Sequence, residues 1–236
     1  MYAFAATAVA RQTRLPVGVL AKRTASALPA RSTNPCSIGT LRYFAKGDEL
    51  FAEGDPSEFF YKVVSGTMRT SKLLRDGRRQ IDAFHLAGDI FGLESGKEHR
   101  FTAEAVDDVV VLALRRGHVT SLLHDNPAFG DELMSSIMSN LDRAHDHMVL
   151  LGRKTAQEKL ATFLLEMADR LTQGDAADDC FDLPMQRNDI ADHLGLTIET
   201  VSRMLTQMAR KGLIKFVATG RTIILSDRAG LQQLNA

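Results

Sequence analysis

"RNDIADHLGLTIETVSRML", Arg187 to Leu205, reads as two short helices meeting at a glycine. A helix-turn-helix needs a small residue where its helices approach, a glycine in the turn and apolar residues that hold the crossing together. Ala191 stands at the approach and Gly195 takes the turn, while Ile190, Leu194, Leu196, Val201 and either Met204 or Leu205 fill the packing positions. Thr197 is placed to cap the second helix with its hydroxyl. With Val201 and Leu205 turned inward, Ile198, Glu199, Ser202 and Arg203 fall on the outer face near the helix N-terminus. In such motifs that end enters the major groove of DNA. There Glu199 can accept from a cytosine amino group, Arg203 can chelate a guanine edge, and Ser202 can reach a base or a phosphate. The competing reading of the same residues is an exposed i, i+4 ion pair between Glu199 and Arg203.

Downstream, "KGLIKFVATGRTIILSD", Lys211 to Asp227, reads as strand, Thr-Gly turn and strand, the hairpin wing of a winged helix. Thr197, Thr200, Arg210, Lys211 and Arg221 are the candidate DNA-backbone contacts, which position a recognition helix without reading sequence. Residues 197 to 221 carry Arg203, Arg210, Lys211, Lys215 and Arg221 against Glu199 alone, a local surplus of the sign that neutralises phosphates. "RAGLQQLNA" is expected to close the chain as a helix.

Upstream the period changes twice. From Pro127 to Leu151, Met134, Ile137, Leu141, Ala144, Met148 and Leu151 recur at steps of three and four, an a/d seam. So narrow a stripe suits a two-helix interface and predicts a dimer helix, with packing against the chain's own β domain as the alternative. A second helix is expected from Thr155, where Thr155 and Glu158 form a capping box, and it should bury Leu160, Phe163, Leu164 and Met167 before "TQGDAADD" breaks the chain. From Leu41 to Arg116 the pattern is short alternating strands punctuated by glycine, with "EFFYKVVSGTMRTSKLL" alternating around a Ser-Gly turn and "LRDGRRQ" carrying an Asp-Gly hairpin signal. Such spacing predicts a jelly roll or barrel.

The composition is that of a globular protein: 236 residues, 44% hydrophobic and 25% charged, with no run long and apolar enough for a membrane span. Zero net charge hides a segregation. Residues 1 to 47 hold seven Lys/Arg and no acid, residues 48 to 151 hold 11 basic and 18 acidic groups, and residues 152 to 236 hold 11 of each. Two distant cysteines, Cys36 and Cys180, with no further ligand at zinc spacing, predict neither a disulfide framework nor a metal site, and fit a cytoplasmic protein. Residues 1–38, basic and broken by prolines, are set apart as a disordered extension; a start assigned too far upstream and a targeting peptide are the other readings. No nucleophile, base and orienter occur together, so an enzyme is not expected.

The expected architecture is therefore α+β: a β-roll over 39–126, a dimer helix over 127–152 and a winged helix-turn-helix domain over 153–236. This order, with the outer-face pattern Glu199, Ser202, Arg203, resembles the CRP/FNR family of bacterial transcription regulators, and "LPMQRNDIADHLGLTIETVSR" and "DIFGLESGKEHRFTAEA" look most like its FixK branch. The resemblance covers residues 40–236. It implies a cyclic-nucleotide-binding-type β-roll, a homodimer on double-stranded DNA with a TTGA-N6-TCAA-like palindrome, and contact with RNA polymerase. It implies activation of microaerobic, denitrification or nitrogen-fixation genes.

Departures from the family are equally informative. Where cyclic-AMP receptors carry a Gly-Glu pair and an Arg-Ser or Arg-Thr pair, this sequence has Gly92-Leu93 and Phe101-Thr102, and Arg100 is offset by one residue and expected on the opposite strand face. No cyclic nucleotide is expected. Cys36 alone cannot hold a four-thiolate iron–sulfur centre. A ligand-gated sensor whose roll binds an unidentified small molecule or haem is the second hypothesis; His85, His99 and His118 would be the haem candidates, and surface histidines are the plainer reading of them. Cys180, just before the motif, is a candidate redox residue, against a partly buried small side chain beside Phe181.

Overall fold

A computed structural model describes residues 39–172, 179–217 and 221–235. The basic extension with Cys36, most of "TQGDAADD" and the Thr219-Gly220 turn lie outside the described residues.

Eight strands come first: β1 (Thr40–Phe44), β2 (Glu49–Phe51), β3 (Phe59–Ser65), β4 (Met68–Leu73), β5 (Arg79–His85), β6 (Ile90–Phe91), β7 (Thr102–Ala105) and β8 (Val109–Arg115). They form two four-stranded sheets, β1-β8-β3-β6 and β2-β7-β4-β5, with every pair antiparallel. Phe51, Tyr61, Val63, Met68, Phe91, Val109 and Val111 fill the space between the sheets. The Ser65-Gly66 turn does not make a hairpin, because β3 and β4 belong to different sheets. Gly66 has φ +79°, and a Cβ there would lie 2.4 Å from the Asp108 carbonyl oxygen, so only glycine allows the chain to cross between sheets. The Asp-Gly signal does make a hairpin. Leu74 N–H donates to Arg78 O at 2.7 Å and Gly77 takes φ +84°, joining β4 to β5.

A 3-10 turn (Arg116–His118) leads into α1 (Val119–Asp125) and α2 (Pro127–Arg153). Asn126 caps α2 by accepting from Phe129 N–H at 3.2 Å, with Pro127 at the first helical position. Phe129 and Leu133 pack the start of α2 under the roll against Phe60, Ile90 and Leu114. Further along, Met134, Ile137, Leu141 and Met148 are 41–65% exposed in the protomer, Ala144 is exposed too, and only Leu151 of the seam turns inward. Leu151 is half-buried and packs against the C-terminal core, so that Leu150 and Leu151 are the point where the helix meets the next domain.

The third part comprises α3 (Ala156–Leu171), β9 (Cys180–Asp182), α4 (Arg187–Leu194), α5 (Ile198–Arg210), β10 (Ile214–Phe216), β11 (Thr222–Leu225) and α6 (Arg228–Asn235). The capping box forms: Glu158 N–H donates to Thr155 Oγ1 at 3.4 Å and Thr155 N–H to Glu158 Oε2 at 2.7 Å. Leu160, Phe163, Leu164 and Met167 are buried, in one core with residues of α4, α5, β10, β11 and α6. That core also takes in Ile81 and Phe84 of β5. The roll and the C-terminal part therefore share packed side chains.

Candidate nucleic-acid interface

Ile190, Ala191, Leu194, Val201 and Leu205 are all buried where α4 crosses α5, and Leu196 is half-buried beside them. Gly195 ends α4 in the left-handed region at φ 62°, ψ 40°, a conformation that costs other L-residues about 1–2 kcal/mol. Thr197 then caps α5, its Oγ1 accepting from Thr200 N–H at 3.3 Å and lying 3.2 Å from Thr200 Oγ1. At the far end Gly212, at φ +75°, turns the chain out of α5, and Leu213 N–H bonds back to Met208 O at 3.0 Å.

The outer face of α5 presents Ile198, Glu199 and Arg203 to solvent, with Ser202 half-buried between them. Glu199 and Arg203 form no ion pair among the described residues, so neither occupies the other's polar groups. The Glu199 carboxyl is held below the usual range by hydrogen bonds from its own backbone amide and from the Thr197 hydroxyl, and is ionised at neutral pH. Arg210, Lys211, Lys215 and Arg221 are all exposed. At the N-terminus of α4, the Arg187 guanidinium lies over the Phe216 ring, 5.8 Å from its centroid, which ties the first helix to the wing.

The wing has three strands. β10 pairs with β11, and β11 pairs with β9 through Thr222–Asp182, Ile223–Phe181 and Ile224–Cys180. Strand alternation turns Phe181 into the core and Cys180 out to solvent. The partly buried reading of Cys180 is thus corrected: it lies exposed in a row with Ile224 and Lys215 across the wing.

Between the roll, α2 and α3 lies a cavity of about 660 Å³, bordered by Phe84, Phe91, Glu94, Arg100, Asn140 and His147, with His193 of α4 at one end. Arg100 does border it, contrary to the expectation from strand alternation, because it sits in a bend before β7 where the two-residue period does not operate. Glu94 is already engaged, accepting from Arg100 N–H at 2.6 Å and pairing with His99 Nδ1 at 3.3 Å. The Thr102 hydroxyl accepts from Glu53 N–H at 3.0 Å. His85 and His99 are not surface residues: His85 is buried 3.0 Å from Thr70 Oγ1, its pKa pushed down to about 4 by burial, and His99 stacks on Phe51 with ring centroids 3.6 Å apart. Of these three histidines, His118 is the exposed one.

A β-roll of this topology, joined by a long helix to a winged helix-turn-helix, defines a class of DNA-binding transcription regulators. Residues 41–126 match the cyclic nucleotide-binding domain family and residues 158–234 the Crp-like helix-turn-helix domain family. The chain is 42% identical over 212 residues to the nitrogen fixation regulation protein FixK of Azorhizobium caulinodans, covering 89% of this chain and 84% of that protein. It is 42% identical over 199 residues to FixK of Bradyrhizobium diazoefficiens, covering 84% and 83%. The solved structure of FixK2 from Bradyrhizobium japonicum superposes with a TM-score of 0.77 at 46% identity, over 85% of this chain and 98% of that one. The chain belongs to the CRP/FNR family of transcription regulators and is FixK-like.

Proposed function

We propose that this protein is a homodimeric, sequence-specific transcription activator in the cytoplasm, reading a TTGA-N6-TCAA-like palindrome upstream of microaerobic, nitrogen-fixation or denitrification genes, contacting RNA polymerase, and needing no cyclic nucleotide. The observation that carries the reading is the α5 face: Glu199 and Arg203 are exposed and unpaired with each other beside Ser202, one turn from the capped N-terminus. Glu199, Ser202 and Arg203 read bases. Thr197, Thr200, Arg210, Lys211 and Arg221 hold phosphates and set the register. The exposed stripe of Met134, Ile137, Leu141, Ala144 and Met148 supplies the dimer seam, since large apolar groups in a row on one helix mark an interface.

Fluorescence anisotropy of the purified, reduced, ligand-free protein on a TTGA-N6-TCAA duplex and a scrambled duplex, at stated salt, tests this. Tight, selective binding is expected. Weak, unselective binding would favour the second reading, a regulator gated by a small molecule in the roll. That reading is favoured by the 660 Å³ cavity and by His147 Nε2, a buried nitrogen at its wall with no hydrogen-bond partner among the described residues.

A further inference from the structure

Three consecutive residues of β5 grip one face of α4. Arg79 donates from Nε to Asp192 Oδ2 at 2.9 Å and from Nη2 to Asp189 Oδ1 at 2.6 Å. Gln80 Nε2 donates to His193 O at 3.1 Å, and Ile81 O lies 3.2 Å from His193 Nδ1. From the neighbouring strand β4, Arg69 Nη1 adds a second donor to Asp189 Oδ1 at 3.1 Å, while its Nε is braced by Glu104 of β7 at 3.2 Å. Positions 189, 192 and 193 are spaced to lie on one helix face, so the hairpin meets α4 along a single line.

Asp189 is buried, and its other oxygen accepts from Gln186 N–H at 3.3 Å, closing the N-terminus of α4. Burial by itself would lower the Arg79 pKa, yet hydrogen bonding to Asp192 and the charge of Asp189 keep it raised, as in a satisfied ion cluster. A buried carboxylate with two guanidinium partners has one low-energy position, because losing either partner leaves desolvated charge behind. The helix that carries it is therefore located relative to the roll. α5 follows rigidly, since Ala191, Ile190, Leu194, Val201 and Leu205 weld it to α4 through the Gly195 turn.

We infer that Arg79 is a positioning residue for DNA recognition: by holding Asp189 and Asp192 it sets where α5 projects from the roll, and hence the separation of the two recognition helices in a dimer. The inference rests on the DNA-binding reading above. Recognition helices in a two-fold dimer reach half-sites one helical turn apart, about 34–36 Å, so a helix free to swing tolerates several spacings while a held one accepts a single spacing.

The experiment uses the full chain. Affinity is measured for duplexes with TTGA and TCAA separated by four, six or eight base pairs, and for a six-base-pair duplex with one half-site scrambled. In parallel, a spin label on Gln207→Cys, in a Cys36→Ser, Cys180→Ser background, reports the distance between the two α5 helices without DNA. Wild type is expected to show one narrow distance and to prefer one spacing by about tenfold or more. Arg79→Ala should broaden the distance and reduce that preference to about threefold or less, with discrimination against the scrambled half-site retained. Arg79→Lys, which keeps the charge but cannot reach both carboxylates in a fork, should fall between them. An unchanged distance and spacing profile in Arg79→Ala, equal weakening on all duplexes, tighter binding on all of them, or a monomeric wild type with no inter-helix distance would each overturn the inference. Should wild type prefer no palindrome, the DNA-binding reading fails, and the spin-label distances still decide whether Arg79 holds α5.

Discussion

His147 of α2 and His193 of α4 stack with ring centroids 4.2 Å apart and 14° between planes, at the place where the long helix, the roll and the helix-turn-helix meet. Phe84 and Phe163 close the other sides of His193, at 5.2 and 5.8 Å. Burial first, then the neighbouring His147, pushes the His193 pKa down to about 3, although the bond to Ile81 O opposes this; Arg170 adds a smaller lowering effect. His147 is lowered too, by burial and by Lys159.

Acid should therefore weaken this junction. A histidine with a depressed folded pKa binds fewer protons folded than unfolded, so stability falls as pH drops from about 6.5 towards 3 and is unaffected above that window, by at most about 1.4 kcal/mol per pH unit for each such group. Denaturant midpoints at pH 7, 6 and 5 should decline, and His193→Gln, less stable at pH 7, should show a shallower decline. A parallel decline in the variant would remove His193 as its source.

The base-reading and phosphate-holding roles proposed for α5 and its C-terminal end are separable by substitution. Arg203→Ala should cost about 1–3 kcal/mol on the palindrome and relax preference at one base pair per half-site. Lys211→Ala should weaken all duplexes alike and make the salt dependence shallower. Affinity measured on specific and random duplexes over a salt series distinguishes the two; equal loss by Arg203→Ala on both would end its assignment as a base reader.

How much of this was legible beforehand follows the range of the interaction. The Gly195 turn, the Thr197 cap, the Thr155–Glu158 box and the Asp76-Gly77 hairpin each depend on residues within a few positions, and sequence shows them directly. Strand β9 is three residues long, too short for a period to register. The Arg79–Asp189 pair spans 110 positions: Arg79 reads as an ordinary hairpin arginine and Asp189 as an ordinary acid in a helix's first turn. Only the fold brings them together. Leu151 continued the heptad pattern by spacing alone, and the place where α2 reaches the next domain's core is a tertiary fact.

Exposure places Cys180 within reach of oxidants on the wing, in line with Lys215. Oxidation to a sulfinic or sulfonic acid would put negative charge in the cross-strand row that also holds Lys215, beside the DNA contacts proposed above. Peroxide treatment is expected to weaken DNA binding of the wild type and to leave Cys180→Ser unaffected. Equal behaviour of the two proteins would remove Cys180 as a redox residue.

The α2 seam gives the last prediction. Ile137 lies near the middle of a stripe of exposed apolar side chains and is itself 41% exposed in the protomer, so an aspartate there is tolerated by the folded chain and disfavoured only where a second helix covers it. Burying an unpaired carboxylate costs several kcal/mol per copy, and a two-fold interface would contain it twice. Ile137→Asp should therefore give a folded monomer by light scattering, with wild-type thermal stability at its C-terminal core. Because a single recognition helix reaches one half-site, that monomer should bind the full palindrome no better than an isolated half-site. A variant that remains dimeric would show that the seam is elsewhere, and the exposed stripe of α2 would then need another partner.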